Sequence, residues 1–254
     1  MVFKGPMAGD QGRARCATGI EGLDSILGGG FPAGSMVLVT GVPGVGKTSL
    51  SLEFAIRGAA AGDRTLYITT IERPEKLLAS VPDFDFFRSE LIDNGLLRFI
   101  EVPELLELDT MFGRPESRED VLRFSEGLSK YIDENGISRL VIDSYSAMFH
   151  ALDDRGVSRD LLLMLSEMMY RKGCTAVLVA DVEPSSTPDL AITATMESII
   201  SDGVIVLGNH QRRSDLLRTL QVLKMKGTSH SRSKYVIDLT SCGILITPLL
   251  RGGA

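Results

Sequence analysis

The fold of this chain follows from residues 41–48, which read Gly41-Val42-Pro43-Gly44-Val45-Gly46-Lys47-Thr48. This run fits G-x-x-x-x-G-K-[ST], the pattern of a phosphate-binding loop. The preceding residues 35–40 (SMVLVT) have the composition of a buried strand, and residues 48–60 (TSLSLEFAIRGAA) have the apolar spacing of a helix. A strand, a glycine-rich turn and a helix start aim successive backbone N–H groups, and the positive end of the helix dipole, at one place. The sequence therefore predicts a site for nucleotide phosphates.

Two side chains of this phosphate loop, as we call Gly41–Thr48, have specific expected roles. Lys47 is predicted to reach the outer phosphates, and the Thr48 hydroxyl is predicted to bind Mg²⁺. The residues expected to contact the nucleotide are Gly41, Val42, Pro43, Gly44, Val45, Gly46, Lys47, Thr48 and Ser49.

The rest of the pattern predicts an α/β fold. Strands alternate with helices first, and the later strands then run together as hairpins. The predicted strands after the phosphate loop cover residues 65–70, 96–102, 139–143, 174–180, 203–207, 218–225, 234–239 and 243–247. This order indicates a doubly wound, mostly parallel sheet flanked by helices, with antiparallel strands added late.

One domain is expected to cover residues 16–248, since no polar, Pro-rich or Ser-rich linker interrupts it. Residues 1–15 and 249–254 are expected to be flexible segments, and residues 103–117 a surface loop.

A short helix is predicted just before the strand that leads into the phosphate loop. Thr18 is expected to cap it, with Glu21 completing a capping box, and Gly28-Gly29-Gly30 is expected to end it.

Composition limits the classes of function. The net charge of −6 argues against a chain that coats nucleic acid without specificity. The three cysteines and three histidines are scattered, without the spacing of a zinc site, a disulfide framework or a histidine-based nucleophile. No apolar run resembles a signal peptide core or a membrane span, so we expect a cytoplasmic protein without a membrane partner.

Two acids at strand ends would complete the chemistry of a phosphate loop. Asp143 closes the apolar strand LVID, where a second magnesium anchor is needed, although an aspartate there can also simply cap a turn. Glu72 follows the strand after the loop helix and could orient or deprotonate the attacking water. Its alternative is a solvated loop acid, and the nearby Glu75 is expected on a helix surface after Pro74.

A phosphoryl-transfer site also calls for an extra cation, often from a neighbouring subunit. Lys224 and Lys226 stand at alternate positions near the end of a late strand. From spacing alone, they are better interpreted as lysines that guard an edge strand. The pair Arg212-Arg213 is better interpreted as a solvated turn.

Several longer motifs resemble a known family. They are T-G-I-x-x-L-D-x-x-L-G-G-G-F-P-x-G (18–34), GVPGVGKT (41–48), LVID (140–143), D-G-V-I-V-L (202–207) and L-K-M-K-G-T-S-H (223–230). Together they are similar to the KaiC-like branch of the RecA-type ATPases, over about residues 16–247. The first and last motifs are far more specific than the phosphate loop.

The resemblance implies a RecA-like ATPase that assembles with copies of itself, typically as a hexameric ring, with ATP between subunits. ATP and Mg²⁺ are then the expected cofactors, held by the phosphate loop, Thr48 and Asp143. The resemblance also implies that Lys224 and Lys226 reach the γ-phosphate of the adjacent subunit, which reverses the interpretation from spacing. Any partner protein stays unidentified.

Three departures from the family pattern bear on activity. The family commonly has two adjacent glutamates after the second strand, whereas this chain has Ile71-Glu72. Lys226 stands where arginine is frequent, which keeps the charge and loses the planar fork. The chain has Ser198-Ile199 where the two-domain clock protein has its phosphorylated Ser/Thr pair, so an autokinase role is not supported.

Two other functions stay open at this point. The incomplete glutamate pair favours a scaffold that holds ATP without hydrolysing it. A RecA/RadA-like recombinase paralogue that binds single-stranded DNA would line the pore of its ring with loops that usually carry basic residues. The best candidate for such a loop is the irregular stretch 183–198, which contains neither Lys, Arg nor an aromatic residue, so this function is disfavoured. We therefore expect no nucleic acid partner.

Overall fold

The computed structural model describes residues 14–106, 117–149, 155–181 and 195–249. The strands are β1 (Arg15–Cys16), β2 (Phe31–Pro32), β3 (Met36–Gly41), β4 (Thr65–Thr69), β5 (Leu97–Glu101), β6 (Arg139–Asp143), β7 (Thr175–Asp181), β8 (Gly203–Arg212), β9 (Asp215–Met225), β10 (Lys234–Thr240) and β11 (Gly243–Pro248). The α-helices are α1 (Glu21–Leu27), α2 (Lys47–Ala60), α3 (Pro74–Ser80), α4 (Glu90–Asp93), α5 (Val102–Leu106), α6 (Arg118–Asn135), α7 (Tyr145–Phe149), α8 (Arg155–Lys172) and α9 (Met196–Ile200). A 3₁₀ turn covers Val81–Asp83.

A nine-stranded sheet forms the centre of the described structure, in the order β11-β10-β9-β8-β3-β7-β6-β4-β5. Strands β3 to β8 run parallel to one another, and β9, β10 and β11 are added in antiparallel hairpins. The small strands β1 and β2 pair separately. The predicted α/β fold, mostly parallel with late antiparallel strands, is confirmed.

Strand β3 runs through the middle of the sheet because both of its faces are apolar. All six of its residues are buried. Leu38 faces a core that α6 and α8 cover, whereas Val37 and Val39 face a core that α1 and α2 cover. Helices on both faces are what a parallel sheet requires, and they fix the phosphate loop at the end of a fully buried strand.

Helix α2, which leaves the phosphate loop, is tied to the hairpin of β10 and β11. The buried carboxylate of Glu53 accepts hydrogen bonds from the Ile244 N–H and from Arg57 Nε, each at 2.7 Å. The Arg57 guanidinium also donates to the Cys242 carbonyl at 2.8 Å. Burial of this carboxylate is therefore compensated by a charged partner and a backbone donor.

The predicted capping box at Thr18 is wrong. Helix α1 begins at Glu21, and Ile20 precedes it without a side-chain cap. The buried Thr18 hydroxyl donates instead to Asp24 Oδ1 at 2.8 Å, and the Thr18 and Gly19 N–H groups bind the same carboxylate. An ionised acceptor attracts these donors more strongly than the helix amides attract a neutral hydroxyl.

Some sequence predictions fall partly or wholly outside the described residues. Both terminal segments do so, as residues 1–13 and 250–254. The predicted loop at 103–117 begins inside α5, and its residues 107–116 are outside the description. The irregular stretch at 183–198 ends in α9, and its residues 183–194 are outside it. No helix in the described ranges is long and apolar enough to cross a membrane.

Candidate functional site

The phosphate loop joins the carboxyl end of β3 to the start of α2. Gly46 precedes the helix in the left-handed region, at φ 100°, where glycine carries no Cβ penalty. The Leu50 N–H makes the first helical bond, to the Gly46 carbonyl at 3.0 Å. The preceding amides of Lys47, Thr48 and Ser49 find no acceptor among the described residues. Unpaired amides at a helix start form an anion site.

The other loop residues place this helix start against the core. Val45 is buried, whereas Pro43 and Gly44 form the exposed tip. Gly41 ends β3 and pairs in register with Asp181 on one side and Leu207 on the other.

Lys47 points back across the loop and is only 7% exposed. Its Nζ donates to the carbonyls of Gly41 and Val42, each at 2.9 Å, and forms an ion pair with Asp181 Oδ1 at 2.8 Å. An ammonium has three N–H donors, so these three acceptors match its capacity. The loop therefore holds a buried cation next to the helix start that carries the unpaired amides.

Sequence reasoning missed Asp181. Strand β7 lies between β3 and β6, and Asp181 is its last residue, beside Gly41. The signal was present in the sequence, because VLVAD ends an apolar strand in an acid as LVID does. The sheet order that brings it to Lys47 is not visible in the local pattern.

Asp143 lies at the end of β6 and faces the first turn of α2. Burial raises the pKa of its carboxyl group, while hydrogen bonds from Tyr67 and Thr48 act in the opposite direction. The Tyr67 hydroxyl donates to Asp143 Oδ2 at 2.7 Å. The structure therefore brings together the hydroxyl and the carboxylate that the sequence assigned to Mg²⁺.

Glu72 follows β4, which is the next strand beyond β6 in the sheet. Its carboxylate is one-third exposed and forms an ion pair with Lys76 Nζ at 2.8 Å. Burial and the charge of Asp143 are the main causes that raise the pKa of Tyr67, and the charge of Glu72 adds to them. The Glu72 carboxylate is thus close enough to act electrostatically on Tyr67, the hydrogen-bond donor to Asp143. Ile71 beside it is 67% exposed.

Lys224, near the end of β9, and Lys226, just after it, lie toward the amino ends of the parallel strands, away from the phosphate loop. The Lys226 N–H bonds the Asp202 carbonyl, and the Asp202 N–H bonds the Met36 carbonyl, so Lys226 is level with the start of β3. Gly41 is five residues further along β3, a distance of about 16 Å. The structure does not bring Lys226 or Lys224 to the phosphate loop of the same chain.

Both lysines have acceptors in their own chain. Lys224 Nζ donates to the carbonyls of Ser198, Ile199 and Ser201, at 3.0, 2.9 and 2.6 Å, around the carboxyl end of α9. Burial, together with the charge of Lys226, lowers the pKa of Lys224. Lys226 is 52% exposed and pairs with Asp202 Oδ1 at 3.0 Å. Of the two, Lys226 is the exposed lysine, and Asp202 is the one side-chain partner it has among the described residues.

An arginine of the same strand does reach the loop. Strand β9 runs antiparallel to β8, so its first residues lie at the carboxyl ends of the parallel strands. Arg218 Nε donates to the Gly44 carbonyl at 3.4 Å, and the residue is exposed. The sequence of the strand around Arg218 contains no motif that predicts a contact with Gly44. The described residues contain no group of three or more His, Cys, Asp or Glu side chains placed to hold a metal.

Comparison with known proteins gives consistent matches over almost all of the chain. A family model described as the KaiC ATPase matches residues 16–251. The circadian clock oscillator protein KaiC of Synechococcus elongatus is 30% identical over 240 residues, which are 94% of this chain and 45% of that protein. A UPF0273 protein of Pyrococcus horikoshii is 28% identical over 242 residues, which are 92% of this chain and 94% of that protein.

A solved structure shows the same fold. The crystal structure of a KaiC-like protein from the hyperthermophilic archaeon Pyrococcus horikoshii superposes with a TM-score of 0.76 at 27% identity, covering 93% of this chain and 100% of that one. The chain therefore spans about half the length of the clock protein and nearly the full length of the UPF0273 and KaiC-like proteins.

Proposed function

This chain belongs to the KaiC family of ATPases, and from that premise we propose that it binds and hydrolyses ATP in a Mg²⁺-dependent reaction. We further propose that copies of the chain assemble with ATP between them, with a hexameric ring as the favoured form. One observation carries the proposal: a buried lysine, the unpaired amides of a helix start and a hydroxyl–carboxylate pair all meet at one loop.

These residues suit a nucleotide with a divalent cation. Lys47 and the amides of Lys47, Thr48 and Ser49 would bind the phosphates, since they are donors directed at one place. The Thr48 hydroxyl and the Asp143 carboxylate are hard oxygen ligands, as Mg²⁺ prefers. When bound, Mg²⁺ would neutralise charge that develops on the phosphate oxygens.

Glu72 is our candidate for the general base. It follows β4, the strand next to the one that ends in Asp143, at the carboxyl ends of the parallel strands, where a water could be placed in line with the terminal phosphate. In the described structure its carboxylate pairs with Lys76 through an exposed contact, and such pairs contribute little. The role therefore requires Glu72 to leave Lys76 when nucleotide is bound.

The proposed assembly is supported by the positions of Lys224, near the end of β9, and of Lys226, just after it. Lys226 lies about 16 Å, along the strand direction, from its own phosphate loop, so any phosphate that it contacts belongs to another copy. We assign the direct contact to Lys226 because it is half exposed and has one partner. Lys224, held by three carbonyls, would support that position.

An ATP-holding scaffold without hydrolysis is the second candidate. Two observations favour it: Ile71 replaces one of the two glutamates that are common in the family, and Glu72 is engaged by Lys76. Binding of single-stranded DNA has weaker support. In the described part of the 183–198 stretch, which is residues 195–198, the charged residue is the acidic Glu197, and an acidic side chain does not attract a phosphate backbone.

The deciding experiment measures phosphate release and light scattering on one purified sample, with and without ATP·Mg²⁺. We expect steady phosphate release together with an ATP-dependent rise in mass. Assembly without phosphate release would support the scaffold. The absence of both phosphate release and assembly would contradict the proposal. Anisotropy with a labelled oligonucleotide, at several salt concentrations, tests for DNA binding.

Replacing Asp181 with asparagine is expected to tighten nucleotide binding. The carboxylate competes with phosphate for Lys47 and adds negative charge near the site. Asp181 is 42% exposed, so we expect only about a two- to fivefold decrease in the ATP dissociation constant, as for a solvent-screened pair. Titration with a fluorescent ATP analogue measures it.

The matched control is Asp133→Asn, which removes the ion pair with Lys172 on a distant helix. It should leave nucleotide affinity at the parent value. Weaker binding in Asp181→Asn would show that Asp181 assists the nucleotide and does not compete with it.

A further inference from the structure

We propose that Tyr67 is a positioning residue for the divalent cation, acting through the Asp143 carboxylate. The inference rests on the proposed function, because it concerns how this site holds Mg²⁺ beside the nucleotide. It goes beyond that function by assigning a role to a buried side chain that lies outside the phosphate loop and outside the strand-end acids.

The geometry links three elements through one hydroxyl. Tyr67 lies in β4, level with Val141 of the neighbouring β6, and its side chain is fully buried on the face that α2 covers. Its hydroxyl donates to Asp143 Oδ2 at 2.7 Å. The Ser51 hydroxyl lies 3.0 Å from the Tyr67 hydroxyl and 3.0 Å from the Thr48 carbonyl, and either oxygen can accept its proton. One phenol therefore connects the first turn of α2 with the acid at the end of β6.

The number of available protons decides which group donates in the hydrogen bonds that link Ser51, Tyr67 and Asp143. A phenol has a single proton, and the ionised carboxylate of Asp143 is its strongest available acceptor. Tyr67 therefore donates to Asp143, and the Ser51 hydroxyl is left to donate to Tyr67 or to the Thr48 carbonyl. With Oδ2 held by this donor, rotation of the Asp143 carboxylate is restrained, and the Thr48 hydroxyl is its second hydrogen-bonding neighbour.

Packing alone does not account for the hydroxyl. The ring of Tyr67 packs against Phe99 with centroids 5.2 Å apart, and a phenylalanine would fill the same space. What the hydroxyl adds is the bond to Asp143. Partners of this kind, which orient a metal-binding carboxylate, typically change metal affinity roughly 10- to 100-fold when removed.

The test is the Mg²⁺ dependence of nucleotide binding in Tyr67→Phe. A fluorescent ATP analogue is titrated in EDTA, and the complex is then titrated with free Mg²⁺ while anisotropy is followed. We expect unchanged binding in EDTA and a Mg²⁺ midpoint raised roughly tenfold or more. Ser51→Ala should shift the midpoint in the same direction by less, because it removes only the support of the phenol.

The control is Tyr131→Phe, which deletes a phenol hydroxyl that contacts Arg98 between α6 and β5. It should keep the parent midpoint. A parent-like midpoint in Tyr67→Phe overturns the inference, and so does weaker binding in EDTA with an unchanged Mg²⁺ dependence, which would indicate packing alone. Failure of the parent itself to bind nucleotide is a separate result, and it would overturn the proposed function together with this inference.

Discussion

Replacing Lys47 with methionine is expected to weaken ATP binding roughly 10- to 150-fold, the loss that follows when a charge-assisted hydrogen bond of about 1.5–3 kcal/mol is removed. Methionine keeps most of the buried aliphatic volume, so the fold should persist. The Gly41 and Val42 carbonyls and Asp181 lose their shared donor, and the part-exposed Asp181 can turn to water. Equilibrium titration with a fluorescent ATP analogue measures the loss.

Lys76→Met is the matched control for this variant, since Lys76 is an exposed lysine near the site whose partner is Glu72. It should bind ATP as the parent does. Thermal melting of both variants without nucleotide checks that the folds are intact. Parent-like affinity in Lys47→Met would mean that the phosphates do not bind at this loop.

Replacing Glu72 with glutamine is expected to lower the rate of ATP hydrolysis roughly 10²- to 10⁴-fold, the usual contribution of a positioned general base. Glutamine has the same shape but cannot accept the proton, so the ATP dissociation constant should stay near the parent value. Phosphate release under single-turnover conditions separates the chemical step from binding and product release.

Glu75→Gln serves as the control, because Glu75 is exposed at the start of α3 and directly follows Pro74. Lys76→Ala adds a second comparison, since it frees Glu72 from its ion pair and should preserve or increase turnover. Equal rates in the parent and in Glu72→Gln would exclude Glu72 as the base. Turnover absent from the parent would favour the scaffold.

The sequence predicted much of the fold because its strongest signals are local. The phosphate loop, the apolar strands that end at Gly41 and Asp143, and the late hairpins can each be recognised within a short window. The capping box failed for the opposite reason: Asp24, six residues beyond Thr18, takes its hydroxyl once α1 has formed. Such competition between acceptors is decided by the folded backbone.

Residues of the candidate site could be predicted where a single motif contains them. They could not be predicted where only the order of the strands in the sheet brings them together. Lys47, Thr48 and Asp143 follow from strand and loop patterns. Asp181 and Tyr67 do not, since β7 lies between β3 and β6 only in the folded sheet. Spacing placed Lys224 on an exposed edge, yet its ammonium binds the carbonyls at the end of α9. Those acceptors come from an element more than twenty residues earlier.

The separation of Lys226 from the phosphate loop along β3 also sets the symmetry of any assembly built on this site. In such an assembly, the carboxyl ends of the parallel strands in one copy contact the amino ends of the parallel strands in the next copy. The two copies therefore use different surfaces, so the contact is heterologous and has a direction. Every copy then has a donor side and an acceptor side, and no two-fold axis relates neighbours. Such a contact must either close on itself as a cycle or continue as a filament. The angle between adjacent copies decides which.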